Sequence, residues 1–277
     1  MYKTSIDIEK RLHEHLLYAY NTYEKDWFVI CVQGSQNYGM DDEESDLDSK
    51  VLLLPSLEDL VLNRAAISHT LEMPDNQEHV DCKDARDYFK IFRKSNINFV
   101  EILFTDYWIV NNRYSDLWLG LRRRNEELAR INPYAAVSCM KGMASEKYHA
   151  LCHNYPSRMH MIEKYGYDPK QLSHLARINY FIKHYVAGDA YEHCIYPQDP
   201  MIRNMLIKIK RGEMHKSVEH ATAWAESLMN EIIEVADNYR NTPGVENKNN
   251  PKLDKFLNDI LYKLIERNLK RELKGFD

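Results

Sequence analysis

Two aspartates stand where their side chains could share a metal ion. Asp46 and Asp48 lie two positions apart, just before an apolar run at 51–54 that predicts a strand. Successive strand side chains point to opposite faces, so these two share one face, with α-carbons about 6.5–7 Å apart. Two carboxylates beside an apolar core are costly to leave unpaired, and a hard divalent cation offsets that cost. The spacing therefore predicts a metal site at Asp46 and Asp48.

A Gly34-Ser35 pair precedes the aspartates and predicts a phosphate contact. It follows the apolar run 27–32, which predicts a buried strand. A turn at this point offers backbone N–H groups and a hydroxyl, and both suit phosphate oxygens. Mg²⁺ favours one or two carboxylates completed by water and substrate phosphate. The order of strand, Gly-Ser turn and Asp-x-Asp strand therefore predicts a site for a triphosphate with Mg²⁺ or Mn²⁺ as cofactor.

The same order of features resembles the signature of the DNA polymerase β-like nucleotidyltransferase superfamily. A narrower resemblance, to the bacterial and phage group called the RNA repair pathway DNA polymerase β family, is carried by Gly34-Ser35-Gln36-Asn37-Tyr38-Gly39 and by Ser45-Asp46-Leu47-Asp48. The stretches 98–104 and 166–170 agree with this group. The resemblance covers roughly residues 29–188.

The resemblance implies what these residues would do. Asp46 and Asp48 would be catalytic metal ligands, and Gly34, Ser35 and Tyr38 would bind the nucleotide. The implied reaction moves a nucleoside monophosphate from a nucleoside triphosphate to an acceptor hydroxyl and releases pyrophosphate. The name of the group implies an RNA or tRNA end as the acceptor. A protein hydroxyl or a small molecule would use the same metal chemistry, and both stay open.

A third carboxylate on a later strand belongs to the superfamily signature. The candidate is Asp81, in a short strand predicted at 80–82, where it would complete the catalytic and metal-binding set. Asp84 is the rival. Its position before Ala85-Arg86 is more typical of a helix N-cap.

Gln36 stands where many relatives in the wider superfamily place an arginine, so the triphosphate charge must be met elsewhere. A helix predicted over 168–187 places Lys170, His174 and Arg177 in one narrow stripe at about 100° per residue. A solvated basic face is the plain explanation of such a stripe. With a nucleotidyltransferase site upstream, the three residues become candidates for nucleotide binding.

Two other functions stay open. Arg177 and His184 resemble the loose Arg-x4–6-His pattern of HEPN-type helical ribonucleases, which would make this helix part of a nuclease. The other alternative is a non-catalytic nucleotide-binding, antitoxin-like partner. The intact set of three carboxylates argues against that alternative.

The apolar pattern changes from strand-like to helix-like along the chain. The predicted fold class is α+β, with a small mixed-sheet nucleotidyltransferase domain at 1–106 followed by an all-helical domain at 107–277. An amphipathic helix at 5–24 precedes the strands, which are expected at 27–32, 51–54, 67–73 and 80–82. The later helices are expected at 114–130, 134–154, 168–187, 200–210, 215–239 and 252–272.

Composition sets the remaining expectations. The 277 residues are 44% hydrophobic and 29% charged, which is ordinary for a soluble globular protein. The net charge of −5 argues against a protein that coats nucleic acid non-specifically. Five scattered cysteines predict reduced thiols. No apolar run approaches membrane length and no signal sequence is evident, so we expect a cytoplasmic protein without a membrane partner.

Overall fold

The structure, a computed structural model, describes residues 7–41, 45–75, 78–153, 155–215 and 217–274. None of its helices, within those residues, is long and apolar enough to cross a membrane. The strands in this part of the chain are β1 (Trp27–Gln33), β2 (Asp48–Leu53), β3 (Ser68–Glu72), β4 (His79–Asp84) and β5 (Trp108–Val110). The α-helices are α1 (Ile8–Tyr23), α2 (Ser35–Tyr38), α3 (Leu57–Val61), α4 (Ala85–Phe92), α5 (Ile97–Val100), α6 (Ser115–Arg122), α7 (Asn125–Ala129), α8 (Pro133–Ala150), α9 (Met159–Tyr165), α10 (Pro169–Ala187), α11 (Tyr191–Ile195), α12 (Pro200–Lys210), α13 (Val218–Arg240) and α14 (Pro251–Lys274).

The chain divides into two compact units. The sheet unit comprises Met1–Asn37, Asp41–Asn132 and Asn249–Asp277. The helical unit comprises Tyr38–Met40 and Pro133–Lys248. These units differ from the predicted domains 1–106 and 107–277, because α6, α7 and α14 belong to the sheet unit.

The return of α14 to the sheet unit rests on specific contacts. Arg93 on α4 donates through Nε to the Asp254 carboxylate at 2.8 Å. Near the other end of the helix, the buried Asn268 side chain donates to the Pro55 carbonyl oxygen at 3.0 Å. Helical periodicity predicts that α14 forms but not which element it packs against, which is why the predicted boundary put it with the other helices.

The five strands pair in the order β3-β4-β2-β1-β5 over the described residues. β2 and β4 run parallel, and the other neighbours are antiparallel. The predicted α+β class with a small mixed sheet is confirmed. Because β1 and β2 are antiparallel, the end of β1 and the start of β2 meet at one edge, where Gln33 pairs with Asp48.

The two faces of the sheet have different characters. One face is apolar and packs against α1, through side chains that include Ile30, Val51 and Val80. The other face carries Asp48 and Lys50, because alternate residues of a strand point the same way. Both faces are buried at the centre of the sheet, since Val29, Cys31 and Leu52 on the second face are at most 1% exposed, and the charged groups of that face lie among apolar side chains.

The helical unit is built around α10, which packs against α8, α11, α12 and α13. The Asp168 side chain caps the helix by accepting from the Lys170 backbone N–H at 2.9 Å, and it pairs with Arg158 at 2.7 Å. Pro169 occupies the first turn, and Gly188 ends the helix with φ of +88°. These are ordinary start and stop signals, and they account for the close agreement with the predicted 168–187.

The assignment of α14 to the sheet unit makes a prediction about stability. Leu264→Ala, at a fully buried position of α14, should lower the free energy of unfolding by about 2–5 kcal/mol through lost packing and a cavity. Tyr262→Ala, two residues away and 67% exposed, is the control and should change it by less than about 0.5 kcal/mol. Urea titration measures both, and equal effects would contradict the packing of α14.

Candidate active site

The turn after β1 has a conformation that favours glycine. Gly34 follows Gln33 with φ of +93°, in the left-handed region. α2 begins at once with Ser35, so the predicted turn runs directly into one helical turn. The Asn37 side chain donates to the Val32 carbonyl oxygen at 2.9 Å, and its backbone N–H donates to the Gly34 carbonyl at 3.0 Å. These bonds fix the direction in which the chain leaves β1.

Gln36 links this turn to the aspartates. Its side-chain Nε2 donates to the backbone carbonyl oxygen of Asp46 at 2.9 Å, and its Oε1 accepts from the Ser35 hydroxyl at 3.4 Å. A primary amide suits this position because one end donates and the other accepts. Gln36, at the position where many relatives in the superfamily have arginine, thus holds the Asp46 main chain beside the turn.

The structure brings Asp46 and Asp48 together. Asp48 opens β2 and is half-buried, whereas Asp46 is exposed. Burial raises the pKa of the Asp48 carboxyl, and the charge of Asp46 raises it further, against an opposing effect of His79. The upward shift means that the ionised Asp48 carboxylate is poorly solvated and repelled by its neighbour. Such a pair is suited to a divalent cation.

His79 joins this pair, and the sequence reasoning missed it. Its backbone N–H donates to Asp48 Oδ1 at 3.1 Å, and its Nδ1 lies 3.2 Å from the same oxygen. The parallel register of β2 and β4, which pairs Ser49 with Val80, puts His79 beside Asp48. The available signal was a histidine two positions before Asp81, hence on the same strand face.

Behind the aspartates lies a hydrogen-bonded group, here called the Glu78 network, made of Arg11, His15, Leu47, Ser49 and Glu78. Glu78 is buried, and its Oε2 accepts from Arg11 Nε and Nη2 at 3.0 and 2.5 Å and from His15 Nε2 at 3.0 Å. Its Oε1 accepts at 3.4 Å from the backbone N–H of Leu47, the residue between the two aspartates. His15 Nδ1 lies 2.9 Å from the Ser49 hydroxyl.

The proton of His15 can be assigned from its partners. Burial lowers the pKa of His15, although Glu78 opposes the shift. A neutral imidazole beside a carboxylate donates, so Nε2 carries the proton and Nδ1 accepts from Ser49. α1 thereby contacts the Ser49 side chain directly and the Leu47 backbone N–H through Glu78, on either side of Asp48. A histidine on the apolar face of α1 was the sequence signal for this network, and the sequence reasoning missed it.

Asp81 is engaged by two lysines. Its carboxylate bonds Lys50, its partner across the β2–β4 pairing, and lies 3.6 Å from Lys83 Nζ. Lys50 is 2% exposed, and its ammonium lies 4.2 Å from the centre of the Phe99 ring. Within the described part of the chain, no three His, Cys, Asp or Glu side chains are grouped so as to hold a metal ion. The structure therefore does not bring Asp81 to the other two aspartates as a third ligand.

Asp84, the rival third carboxylate, caps α4. Its Oδ1 accepts from the Arg86 backbone N–H at 2.8 Å, and its Oδ2 pairs with Arg86 Nη2 at 2.6 Å. The N-cap prediction is confirmed. Both oxygens of the Asp84 carboxylate are therefore bonded to Arg86 at the start of α4.

The predicted stripe lies on α10, within the helical unit. Lys170 is exposed, His174 is half-buried, and Arg177 is 4% exposed. The solvated-face explanation is therefore wrong for Arg177. Its guanidinium lies over the ring of Tyr38, 3.7 Å from the ring centre.

The ribonuclease pair does not converge. Arg177 and His184 are seven positions apart on α10, or about 10 Å along the helix axis. His184 Nδ1 lies 2.5 Å from the Asp189 carboxylate, and its ring lies on Tyr180 with centres 4.0 Å apart. Each member of the predicted pair has its own neighbours, which does not favour a shared catalytic centre.

Comparisons with known proteins give a distant likeness. No protein-family model matches the chain, and no curated protein matches it. Among solved structures, the chain is similar to a nucleotidyltransferase-like protein from Exiguobacterium sibiricum 255-15, with 13% identity and a TM-score of 0.34, over 83% of this chain and 77% of that one. Membership of the RNA repair pathway group stays a prediction from the motifs.

The pairing of Lys50 with Asp81 makes a prediction about stability. Asp81→Asn should lower the free energy of unfolding by about 3–5 kcal/mol, because Lys50 becomes a buried charge without its partner. Lys50→Met/Asp81→Asn removes both charges at similar volume and should recover most of the loss. The measurement is urea unfolding of both variants, and a single variant as stable as the wild type would refute the pair.

The Glu78 network makes a second prediction. Glu78→Gln should lower the free energy of unfolding by about 1.5–3 kcal/mol, since bonds to a charged acceptor are lost in a buried place. Glu14→Gln is the control, because Glu14 also bonds Arg11, at 2.5 Å, but is half-exposed. It should cost less than about 1 kcal/mol. Urea unfolding measures the loss of stability in both variants. A larger loss in Glu14→Gln than in Glu78→Gln would contradict the role of Glu78.

Proposed function

We propose that this chain is a metal-dependent nucleotidyltransferase, which moves a nucleoside monophosphate from a nucleoside triphosphate to an acceptor hydroxyl. The single observation that carries the proposal is the bond from Gln36 to the Asp46 carbonyl, which sets the Gly34-Ser35 turn beside the aspartates. A turn suited to phosphate and a pair of carboxylates at one sheet edge are what the chemistry requires. The motif resemblance supports the same activity.

Asp46 and Asp48 are the residues that would hold Mg²⁺ or Mn²⁺. The fit rests on their donor chemistry, because two neighbouring carboxylates, one with a raised pKa, lack a full complement of positive charge. Magnesium sites in proteins commonly use one or two carboxylates and take the remaining oxygens from water and phosphate. When bound, the metal would supply Lewis-acid stabilisation of negative charge on phosphate oxygens.

The other groups of the turn act on the substrate. The Ser35 hydroxyl and the backbone N–H groups that follow Gly34 would bind oxygens of the β- or γ-phosphate. The acceptor oxygen would form a new bond to the α-phosphorus as the bond to pyrophosphate breaks. Asp48 would be fixed for this reaction by its bond from the His79 backbone N–H.

Asp81 stays the predicted third catalytic carboxylate, with activation of the acceptor hydroxyl as its role. Its pairing with Lys50 means that a loss of activity in Asp81→Asn would mix chemistry with instability. The Lys50→Met/Asp81→Asn variant separates them. If it is folded and inactive, Asp81 or Lys50 acts in the reaction, and if it is active, the pair is structural.

The favoured acceptor is an RNA or tRNA end, on the motif resemblance alone. The net charge of −5 adds no support for RNA, so proteins and small molecules stay as alternatives. A helical ribonuclease is the weaker alternative function, because Arg177 and His184 contact different groups.

The test is transfer of label from each α-³²P nucleoside triphosphate to total cellular RNA in Mg²⁺ or Mn²⁺. Asp46→Asn and Asp48→Asn should each lose at least about a hundredfold of the rate, since several kcal/mol of charge stabilisation would be removed. EDTA should abolish the transfer. Asp259→Asn, an exposed aspartate of α14, is the matched control and should keep full activity.

A second readout does not depend on the acceptor. Mn²⁺ should raise the melting temperature of the wild type and of Asp259→Asn but not of Asp48→Asn, because binding to the folded state alone stabilises it. Undiminished label transfer by Asp48→Asn would overturn the proposal. Label transfer to a protein or small molecule in place of RNA would change only the acceptor.

A further inference from the structure

The segment Tyr38–Met40 lies between the Gly34-Ser35 turn and the candidate metal ligands. It belongs to the helical unit, although the residues on either side of it belong to the sheet unit. Tyr38 is also the last residue of α2, whose first residue is Ser35. A displacement of Tyr38 therefore reaches the turn through the main chain of a single helical turn.

Arg177 on α10 contacts the ring of Tyr38. Its guanidinium lies 3.7 Å from the ring centre, and both side chains are buried, with 4% of Arg177 and 6% of Tyr38 exposed. Arg177 Nε has no hydrogen-bond partner among the described residues. A guanidinium is attracted to the face of an aromatic ring, and more strongly where water is excluded. The contact therefore stabilises both side chains in this buried place.

The residue after Tyr38 is packed just as closely. Gly39 has φ of +65°, and a Cβ at this position would overlap the ring of Tyr196 and lie 3.0 Å from Arg203 Cδ. The Arg203 guanidinium in turn lies 4.5 Å from the centre of the Tyr196 ring. A positive φ and so close an approach of main chain to side chains both favour glycine. The segment therefore has a fixed place within the helical unit.

Asn37 connects this fixed segment to the turn. Its side chain donates to the Val32 carbonyl oxygen at 2.9 Å, and its backbone N–H donates to the Gly34 carbonyl oxygen at 3.0 Å. Because Asn37 adjoins Tyr38 in the chain, a shift of the Tyr38 ring would strain both bonds. The direction in which Ser35 faces therefore depends on where the Tyr38 ring is held.

We propose that Arg177 and Tyr38 are positioning residues, which hold the Gly34-Ser35 turn in the conformation that the structure shows. The helical wheel and the motif make both of them candidates for direct nucleotide binding, but each is buried against the other. Their side chains act through the main chain of α2 and not by touching the nucleotide. The positioning of the turn is independent of the proposed function, whereas its consequence for phosphate binding rests on that function.

The first test is hydrogen exchange of the Asn37 backbone amide, measured by NMR in the full chain without nucleotide. Tyr38→Phe is the parent, since Tyr38→Phe and Tyr38→Leu both lack the hydroxyl and differ in the aromatic ring. The amide should exchange about tenfold faster in Tyr38→Leu, and in the parent with Arg177→Gln, because a buried cation–π contact is lost. Arg177→Lys keeps a cation over the ring and should exchange more slowly than Arg177→Gln.

Two controls separate a loosened turn from a general loss of stability. Lys164→Gln in the same parent should leave the exchange rate unchanged, because Lys164 Nζ lies 4.8 Å from the centre of another ring of the helical unit, that of Tyr165. The amide of Val51, in the central strand β2, should exchange at the parental rate in every variant. Equal rates at Asn37 in Tyr38→Phe and Tyr38→Leu would overturn the inference, as would equal acceleration at Asn37 and Val51.

The second test is calorimetric titration with inorganic tripolyphosphate in Mn²⁺, a ligand that has no base to stack on Tyr38. Affinity should fall about tenfold from Tyr38→Phe to Tyr38→Leu. Arg177→Gln should weaken binding in Tyr38→Phe but cause no further loss in Tyr38→Leu, because Arg177 acts through the ring. An equal loss in both backgrounds would overturn the inference in favour of direct contact between Arg177 and phosphate. Faster exchange at Asn37 in a chain that binds no tripolyphosphate, wild type included, would uphold the positioning of the turn and reject the proposed enzyme.

Discussion

The buried carboxylate of Glu78 is the constraint on which the placement of the aspartates depends. A carboxylate out of contact with water must be met by donors, and here they come from Arg11, His15 and the Leu47 main chain. Those donors belong to the first helix and to the entry of β2, so one charge ties distant parts of the sequence together. Gln36 holds the same segment at the Asp46 carbonyl. The segment that carries the aspartates is thus held at its main chain, and the Asp48 carboxylate is in addition bonded by His79.

Charge is compensated unevenly within each unit. In the sheet unit Asp81 is matched by Lys50 and Lys83, whereas the charge of Asp46 acts on Asp48, whose ion-pair partner among the described residues is His79. In the helical unit, Arg158 is matched by Asp168, while Arg177 has an aromatic ring in place of an acid. Most charged groups near a core are paired because desolvation is costly. Neighbouring charges of a single sign are therefore places where a ligand of the opposite sign is worth seeking, and at Asp46 and Asp48 that ligand would be a metal cation.

Local patterns predicted most of the elements, and non-local pairing accounts for most of what was missed. Strand runs, the cap at Asp84 and the α10 boundaries depend on neighbouring residues, so they could be predicted from the sequence. The ion pair of Asp81 depends on the register of two parallel strands separated by β3, which periodicity does not determine. The helical wheel put Arg177 beside His174, but its burial against Tyr38 required the fold. The observed boundary between the units differs from the predicted one for the same reason, since the sequence of α14 does not determine which element it packs against.

The helical unit interrupts the sheet unit in sequence, because Pro133–Lys248 separates Asn132 from Asn249. A chain made from its N-terminus therefore completes the helical unit before α14 exists. The surface that Leu253, Leu257 and Leu264 cover stays exposed to solvent during that time. Exposed apolar surface is where nascent chains aggregate or bind chaperones. Until α14 has emerged from the ribosome, the earlier part of the sheet unit lacks the contacts that this helix makes with α4 and Pro55. The order of synthesis thus delays the packing of α14 against the sheet unit until residues 251–274 have been made.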